Sequence, residues 1–316
     1  MTRVRIPTGA LPKGREKINH KSAYKNKMNF ANFHDRNYKL LLAIPIVLLL
    51  ASLIYLGVFN SIHDDFIYKD ISLTGGTTVT LYENLDAAKL KADLSDKLEG
   101  VNTRTISDLM TQEQKAVIIE TRSEGDLTKK VIEEYLGYSL TGENSSFEFT
   151  GSALSESFYT QLIIAILVAF VFMAIVVFII FRSLVPSSAV ILSAFADIIM
   201  TLAMVNILGM KMSTAGIVAF LMLIGYSVDT DILLTTRLLK RSEGSVNERI
   251  FSAFKTGVTM TLTSLVAVVF ALFIVSSFSI VLSQIFSILA IGLVFDILNT
   301  WITNVSILKW YLERKS

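Results

Sequence analysis

The chain has 316 residues, of which 52% are hydrophobic and only 18% are charged. An ordinary soluble domain carries roughly 25% charged residues. There is no cysteine, which excludes disulfides, thiol catalysis and cysteine-based metal sites. The three histidines, His20, His34 and His63, are far apart in the sequence, so we expect no metal site and no cofactor. This composition indicates an integral membrane protein.

The apolar residues are gathered in six long blocks, several of them at or above the ~18 residues that span a bilayer. The first block carries Pro45, and it is too long and begins too late to be a cleaved signal peptide. The sequence therefore predicts six spanning helices, the last five forming a bundle over residues 158–308. The blocks are Leu40–Phe59, Phe158–Phe181, Ser188–Leu208, Ser213–Thr236, Val258–Ser276 and Ile280–Leu308.

Lys and Arg near the helix ends predict the orientation, because basic loops stay in the cytoplasm. The tail of residues 1–39 holds ten basic residues, and further Lys and Arg follow the second, fourth and sixth helices. The region from Asn60 to Ser157 instead holds 18 Asp and Glu against 9 Lys and Arg. We expect a cell-membrane protein with residues 60–157 outside, and with both termini and residues 237–257 and 309–316 in the cytoplasm.

The outer region carries alternating and helical patterns in the order β-α-β-β-α-β, which is typical of a ferredoxin-like domain. In the second helix, Leu127, Val131, Ile132 and Leu136 are expected to be buried. The fold class is therefore a polytopic α-helical membrane protein with one extracytoplasmic α+β domain. The predicted segments are Thr77–Glu83, Asp86–Glu99, Val101–Ser107, Ala116–Thr121, Asp126–Leu136 and part of Tyr138–Thr150.

Two other segments are expected on the cytoplasmic side. Val246, Ile250 and Phe254 recur at intervals of four residues within Arg237–Gly257, which predicts either a short helix along the membrane interface or an ordinary connector. We interpret the basic tail as a signal that keeps it in the cytoplasm. The alternative, contact with anionic lipid or RNA, is less favoured. Membrane lipid is an expected partner because the chain spans the bilayer, whereas nucleic acid is not expected.

Four carboxylic acids lie inside the predicted spans: Asp197, Asp229, Asp231 and Asp296. Charged residues at this depth are costly and usually face the protein interior. None of the four has an obvious basic partner at membrane depth, so we expect them to bind and release protons. Asp229 and Asp231 are about 200° apart around one helix, so they face different neighbours. Asp197 and Asp229 are the strongest candidates.

A purely structural role for the four carboxylic acids stays open. A protonated Asp can bridge helices through hydrogen bonds to Ser, Thr or Asn. Such partners are plentiful near the four positions: Thr201, Asn206, Ser227, Thr230, Asn299 and Thr303. For Asp231, a position at the cytoplasmic headgroups is a further alternative.

Three motifs in order along the chain resemble one family. Asp70-Ile71-Ser72-Leu73-Thr74-Gly75-Gly76-Thr77 resembles a Gly-Gly-Thr element that follows the first helix in the SecF family. Phe149-Thr150-Gly151-Ser152-Ala153-Leu154 resembles the family's stretch before the second helix. Gly225-Tyr226-Ser227-Val228-Asp229-Thr230-Asp231 resembles its fourth-helix signature, with Asp-Thr-Asp as in the archaeal branch. The motif residues are Asp70, Gly75, Gly76, Gly225, Tyr226 and Ser227.

The resemblance covers about residues 40 to 310 and implies an accessory subunit of the Sec protein-export machinery. Members of the family pair with a SecD-like subunit beside the Sec translocation channel, and the two form an assembly of the resistance–nodulation–division type. The outer domains are expected to hold the exported polypeptide. Proton flow through the helix interface is expected to drive their movement.

Three other functions are alternatives to this one. A proton-coupled exporter of small molecules or lipids normally has twelve helices and two outer loops, twice what this chain offers. An intramembrane aspartyl protease needs a Gly-x-Gly-Asp sequence, which is absent, and Asp229 and Asp231 cannot form a shared-proton dyad on one helix. A structural scaffold is the third. No nucleotide-binding loop occurs, so ATP is not the direct fuel, and we expect no enzymatic activity.

Overall fold

The computed structural model describes residues 40–108, 111, 113–240, 245–276 and 279–315. The basic tail of residues 1–39 lies outside these residues. Ten helices, one of them running into a π-helical segment, and four strands follow one another in the described chain. They are α1 (Leu40–His63), α2 (Ile71–Thr74), β1 (Gly76–Leu81), α3 (Ala87–Leu94), β2 (Asn102–Ser107), β3 (Gln114–Thr121), α4 (Gly125–Leu136), β4 (Ser145–Thr150), α5 (Ser152–Phe181), α6 (Leu184–Ile207), α7 (Thr214–Lys240), α8 (Val246–Val275), α9 (Ile280–Leu298), the π-helical segment (Asn299–Asn304) and α10 (Val305–Lys315).

Strands β1 to β4 form one antiparallel sheet in the order β2-β3-β1-β4. With α3 and α4 as the two crossover helices, this is the ferredoxin-like arrangement that the sequence predicts. The core under the sheet is built from the inward residues of β1 and β3 and from both helices. Its largest members are Val79, Leu81, Leu90, Leu94, Ile119 and Ile132.

The prediction for α4 is wrong at one position. Leu127 is 50% exposed, whereas its neighbour Thr128 is fully buried. The Thr128 hydroxyl lies 3.4 Å from the Ser123 carbonyl oxygen, and Val131 and Ile132 continue the buried face. The apolar stripe of α4 is thus narrower than the sequence pattern predicts.

Within the described residues, six helices are long and apolar enough to cross a membrane, as predicted. Helices α6 and α7 are the most buried of these, whereas α1, α5 and α8 are mostly exposed on the outside of the bundle. The last span is one continuous helix formed by α9, the π-helical segment and α10.

The segment Arg237–Gly257 differs from both sequence interpretations, because Arg237–Lys240 end α7 and the residues from Val246 onward are the first part of α8. Ser245 and Glu248 form a capping box that begins this helix, satisfying two backbone donors that would otherwise be unpaired. Ile250 and Phe254 then pack in a cluster with Leu238 and Trp301. This apolar stripe is therefore buried against the bundle.

Candidate functional site

The motif Asp70–Thr77 forms the joint between the sheet domain and the bundle. The Asp70 carboxylate accepts a hydrogen bond from the Ile71 amide at 2.7 Å and so caps α2. Gly75 ends α2 with φ 81° and ψ 159°, a conformation essentially restricted to glycine. A Cβ atom on Gly75 would lie 2.5 Å from the Ser152 Cα atom. The glycine is thus required for close approach to the start of α5.

The segment between α1 and β1, residues 64–75, is also bonded to the loop between α6 and α7. The Asp70 amide donates to the Met212 carbonyl oxygen at 2.8 Å, and the Met212 amide donates to the Tyr68 carbonyl oxygen at 2.6 Å. Asn206, near the end of α6, donates its amide to the Phe66 carbonyl oxygen at 2.6 Å. The sheet domain is therefore attached directly to the ends of α6 and α7.

Asp197 lies fully buried in α6, between α7 and the π-helical segment. Its Oδ2 atom accepts a hydrogen bond from the Ser227 hydroxyl at 2.6 Å. Its Oδ1 atom accepts one from the Asn299 side-chain amide at 2.7 Å. Ser227 belongs to the α7 motif, so the structure gives this motif residue a direct contact with the first candidate carboxyl group.

Asp231 in α7 is also fully buried, which corrects the alternative that places it at the headgroups. Its Oδ1 atom accepts hydrogen bonds from the Asn304 side-chain amide at 2.7 Å and from the Thr300 hydroxyl at 2.9 Å. Among the residues that the structure describes, none forms a hydrogen bond of ordinary geometry with its buried Oδ2 atom. Asp231 therefore faces the last span, one helical turn beyond Ser227.

Asp296 completes the buried carboxyl cluster, which we define as Asp197, Asp231 and Asp296. All three residues have no exposed surface. The Thr300 hydroxyl lies 3.2 Å from Asp296 Oδ1 as well as 2.9 Å from Asp231 Oδ1. The second oxygen of Asp296, like that of Asp231, is buried and forms no hydrogen bond of ordinary geometry within the described part of the chain. One threonine hydroxyl thus connects two carboxyl groups from different helices.

Asp229 is exposed on the outside of the bundle. The prediction that Asp229 is a leading member of an internal proton-binding site is therefore wrong for the isolated chain. The physical reason is the turn of the helix, since two residues correspond to about 200°. With Asp231 and Ser227 facing inward, Asp229 has to face outward. Gly225 and Tyr226 of the motif are exposed on the same side.

Sequence reasoning missed Thr300 and Asn304, the two residues that bond Asp231. Both lie in the π-helical segment, as does Asn299. Such segments are rare and frequently occur at functional sites. The available signal was the polar run Asn299-Thr300-Trp301-Ile302-Thr303-Asn304 inside an otherwise apolar span.

Comparisons with known proteins agree with this architecture. Residues 131–314 match the family described as protein export membrane protein SecD/SecF, C-terminal. The chain is 42% identical over 284 residues to the protein-export membrane protein SecF of Methanocaldococcus jannaschii, covering 88% of this chain and 96% of that protein. It is 41% identical over 287 residues to the SecF of Methanothermobacter thermautotrophicus, covering 89% and 95%.

Among solved structures, the fold matches SecDF, a translocon-associated membrane protein from Thermus thermophilus. The TM-score is 0.69 at 19% sequence identity, and the match covers 90% of this chain. This chain spans only 38% of the length of that SecDF chain. The family match covers more than half of the chain, and archaeal relatives align along nearly their whole length. The chain therefore belongs to the SecD/SecF family of protein-export membrane proteins.

Proposed function

We propose that the chain is a SecF-type subunit of the Sec machinery in the cell membrane, where it acts with a SecD-like chain beside the translocation channel. Together they promote passage of polypeptides across the membrane, using the proton gradient. The family and the names of the relatives support the export role. In this proposal the sheet domain and its bound polypeptide lie outside, and both termini lie in the cytoplasm.

The buried carboxyl cluster is the observation that carries the proton-coupled part of the proposal. Three carboxyl groups lie inside spanning helices, and no Lys, Arg or His of the described residues forms an ion pair with them. An unpaired charge at this depth costs several kcal/mol or more. The cluster therefore requires bound protons to remain stable when it is closed to water.

The geometry at Thr300 supports a path for a proton between two helices. A hydroxyl has one hydrogen to donate, so Thr300 can donate to only one carboxyl group at a time. When it donates to Asp231, its contact with Asp296 is a hydrogen bond only if Asp296 carries a proton and donates it. Reversal of both hydrogen bonds would transfer a proton between the two carboxyl groups through the hydroxyl.

The joint with the sheet domain supports coupling between protonation and movement. Asp197 lies on α6 and Asp231 on α7, and the loop between these helices is hydrogen-bonded to residues 64–75. Loss of a proton from the cluster would favour a different packing of α6 and α7. A difference of a few kcal/mol between two packings is enough to shift their populations.

Asp229 supports pairing with a second chain. It continues an exposed stripe on α7 that consists of Val218, Met222, Gly225 and Tyr226. A carboxylate facing lipid is unfavourable, and a small residue such as glycine lets a neighbouring helix approach closely. We place the SecD-like chain on this stripe. Because the chain has no native cysteine, single cysteines can test the position by cross-linking.

The experiment replaces Asp197 and Asp231 separately by Asn and follows export of a secreted reporter at equal membrane levels of each variant. The matched control is Asp126→Asn, the same chemical change at an exposed position on α4. We expect export to fall at least tenfold in the two buried variants and to stay normal in the control. Normal export in both buried variants would leave the cluster only a structural role.

Cross-linking provides a separate test of the partner. In membranes that contain both chains, Met222→Cys on the α7 stripe is expected to cross-link to the SecD-like chain. Phe172→Cys, on the exposed side of α5, is the control and should give no such product. Cross-linking from α5 but not from α7 would place the partner elsewhere.

A further inference from the structure

An apolar cleft opens on the side of the bundle near the sheet domain. Its volume is about 590 Å³, within the roughly 300–1,000 Å³ typical of ligand sites. The walls come from α1, α5, α6, α7 and the segment of residues 64–75. Representative lining residues are Leu53, Gly57, Phe66, Ile163, Leu202 and Phe220.

The cleft offers no free polar group along its walls. Of the described residues that line it, Tyr159 and Thr160 alone carry a side-chain oxygen or nitrogen atom. The Thr160 hydroxyl donates to the Glu156 carbonyl oxygen at 3.1 Å, and the Tyr159 hydroxyl donates to Asp65 Oδ1 at 3.0 Å. Because these walls offer an occupant almost no hydrogen bonds, an apolar occupant fits the cleft better than water or a polar ligand.

The rim of the cleft near the sheet domain is charged. Asp65 and Lys69 form an ion pair, and the Lys69 Nζ atom lies 4.0 Å from the centre of the Tyr159 ring. The Lys69 ammonium group has three hydrogens, so it retains a donor for an anionic group. An aromatic ring and a cation at the end of a span are typical of the membrane interface.

The size of the cleft favours an occupant thinner than a spanning helix. A helix with side chains is about 10–12 Å wide with a pitch of 5.4 Å, so each turn fills roughly 420–610 Å³. The cleft would hold about one turn, whereas a spanning helix has roughly five or more. A single hydrocarbon chain is much thinner than a helix and is present wherever the bundle meets the bilayer.

We propose that this cleft binds one hydrocarbon chain of a membrane phospholipid, whose phosphate lies beside Lys69. The bound chain fills the space between α1 and the remaining helices. Helix α1 is otherwise mostly exposed along its span, so the lipid contributes part of its packing. The lipid is a structural ligand, and the proposal is independent of proton coupling.

Gly57 provides a direct test, because a Cβ atom there meets nothing within 4 Å. Gly57→Leu is therefore expected to fold, and its side chain to reduce the space in the cleft that Gly57 lines. Ala51→Leu adds similar bulk at an exposed position of the same helix and is the matched control. Ile163→Phe, which narrows the cleft from α5, is a second variant in case Gly57→Leu is unstable.

The full chain is placed in vesicles with a phospholipid that carries a photoactivatable group in its hydrocarbon chain, and labelled peptides are identified by mass spectrometry. We expect labelling concentrated on cleft residues, reduced at least fivefold by Gly57→Leu or Ile163→Phe and unchanged by Ala51→Leu. Labelling spread evenly over the outer faces of α1 and α5, or equal in all variants, would overturn the proposal. So would loss of cleft labelling when the SecD-like chain is added.

Discussion

Gly75 tests the joint between the sheet domain and the bundle. Substitution by Ala meets two separate penalties. The backbone of Gly75 has φ 81° and ψ 159°, where an L-residue is strained by roughly 1–3 kcal/mol. The new Cβ atom would lie 2.5 Å from Ser152 Cα and 2.6 Å from Ser152 N. Both are backbone atoms, so no side-chain rotation relieves the overlap.

Overpacking of this kind typically costs roughly 1–3 kcal/mol. The two penalties together predict that Gly75→Ala lowers the free energy of unfolding of the sheet domain by about 2–6 kcal/mol. Since whole domains are stable by only ~5–15 kcal/mol, this is a large fraction. The joint itself should open first, because the strain is located there.

Hydrogen exchange of the β1 amides, Gly76–Leu81, measures the effect locally in the full-length protein. A tenfold change in protection corresponds to about 1.4 kcal/mol, so protection should fall by roughly thirtyfold or more. Two matched variants separate the penalties. Gly137→Ala has φ 79° but open space around its Cβ atom, and Gly142→Ala has open space and no positive φ.

We expect Gly142→Ala to be nearly neutral and Gly137→Ala to cost only about 1–2 kcal/mol, from the backbone alone. Gly75→Ala should exceed both. If the β1 amides are as well protected in the Gly75→Ala variant as in the Gly142→Ala variant, the close approach of Gly75 to the start of α5 is refuted. If Gly75→Ala lowers the protection of these amides only as much as Gly137→Ala does, the predicted overlap with Ser152 is refuted.

Three further predictions concern other parts of the chain. Gly257→Leu should destabilise the bundle by several kcal/mol in thermal unfolding, because a Cβ atom there lies 2.4 Å from the Trp301 ring. Thr300→Val should abolish reporter export while the protein still folds, and Thr300→Ser, which keeps the hydroxyl, should restore it. Desolvation, then a hydrogen bond to Glu83, raises the pKa of Tyr138 to about 12. The usual pKa of tyrosine is about 10, so the bound proton stabilises the folded protein and this contribution is lost between pH 10 and 12. In alkaline unfolding, the free energy of unfolding should therefore fall over this range, and it should fall less steeply in Tyr138→Phe.

The order of elements in the sheet domain could be predicted because its signals are local. Alternating residues mark β1, a run of apolar residues marks β3, and Gly137 ends α4 in the left-handed conformation as a helix-terminating glycine does. The exposure of Leu127 could not be predicted, because the sheet against which a short helix packs determines which side of the helix is buried. The six spans were predictable from apolar length alone.

Which of Asp229 and Asp231 points into the bundle could not be predicted, for a related reason. In a spanning helix that is apolar on all sides, periodicity does not indicate which face is inward. Tertiary contacts with Thr300 and Asn304 select Asp231. Those contacts come from the π-helical segment, where the wider i→i+5 hydrogen-bond pattern changes which side chains face α7. Sequence spacing read with ordinary helical geometry misses this change.

Proton flux is the most direct test of the central claim that the buried carboxyl cluster binds and transfers protons. Vesicles containing this chain and its SecD-like partner are given a pH gradient, and an internal dye reports proton entry. The account predicts flux with the wild-type chain and with Asp126→Asn, and at least a tenfold loss with Asp231→Asn. Equal flux through the Asp231→Asn variant would contradict it.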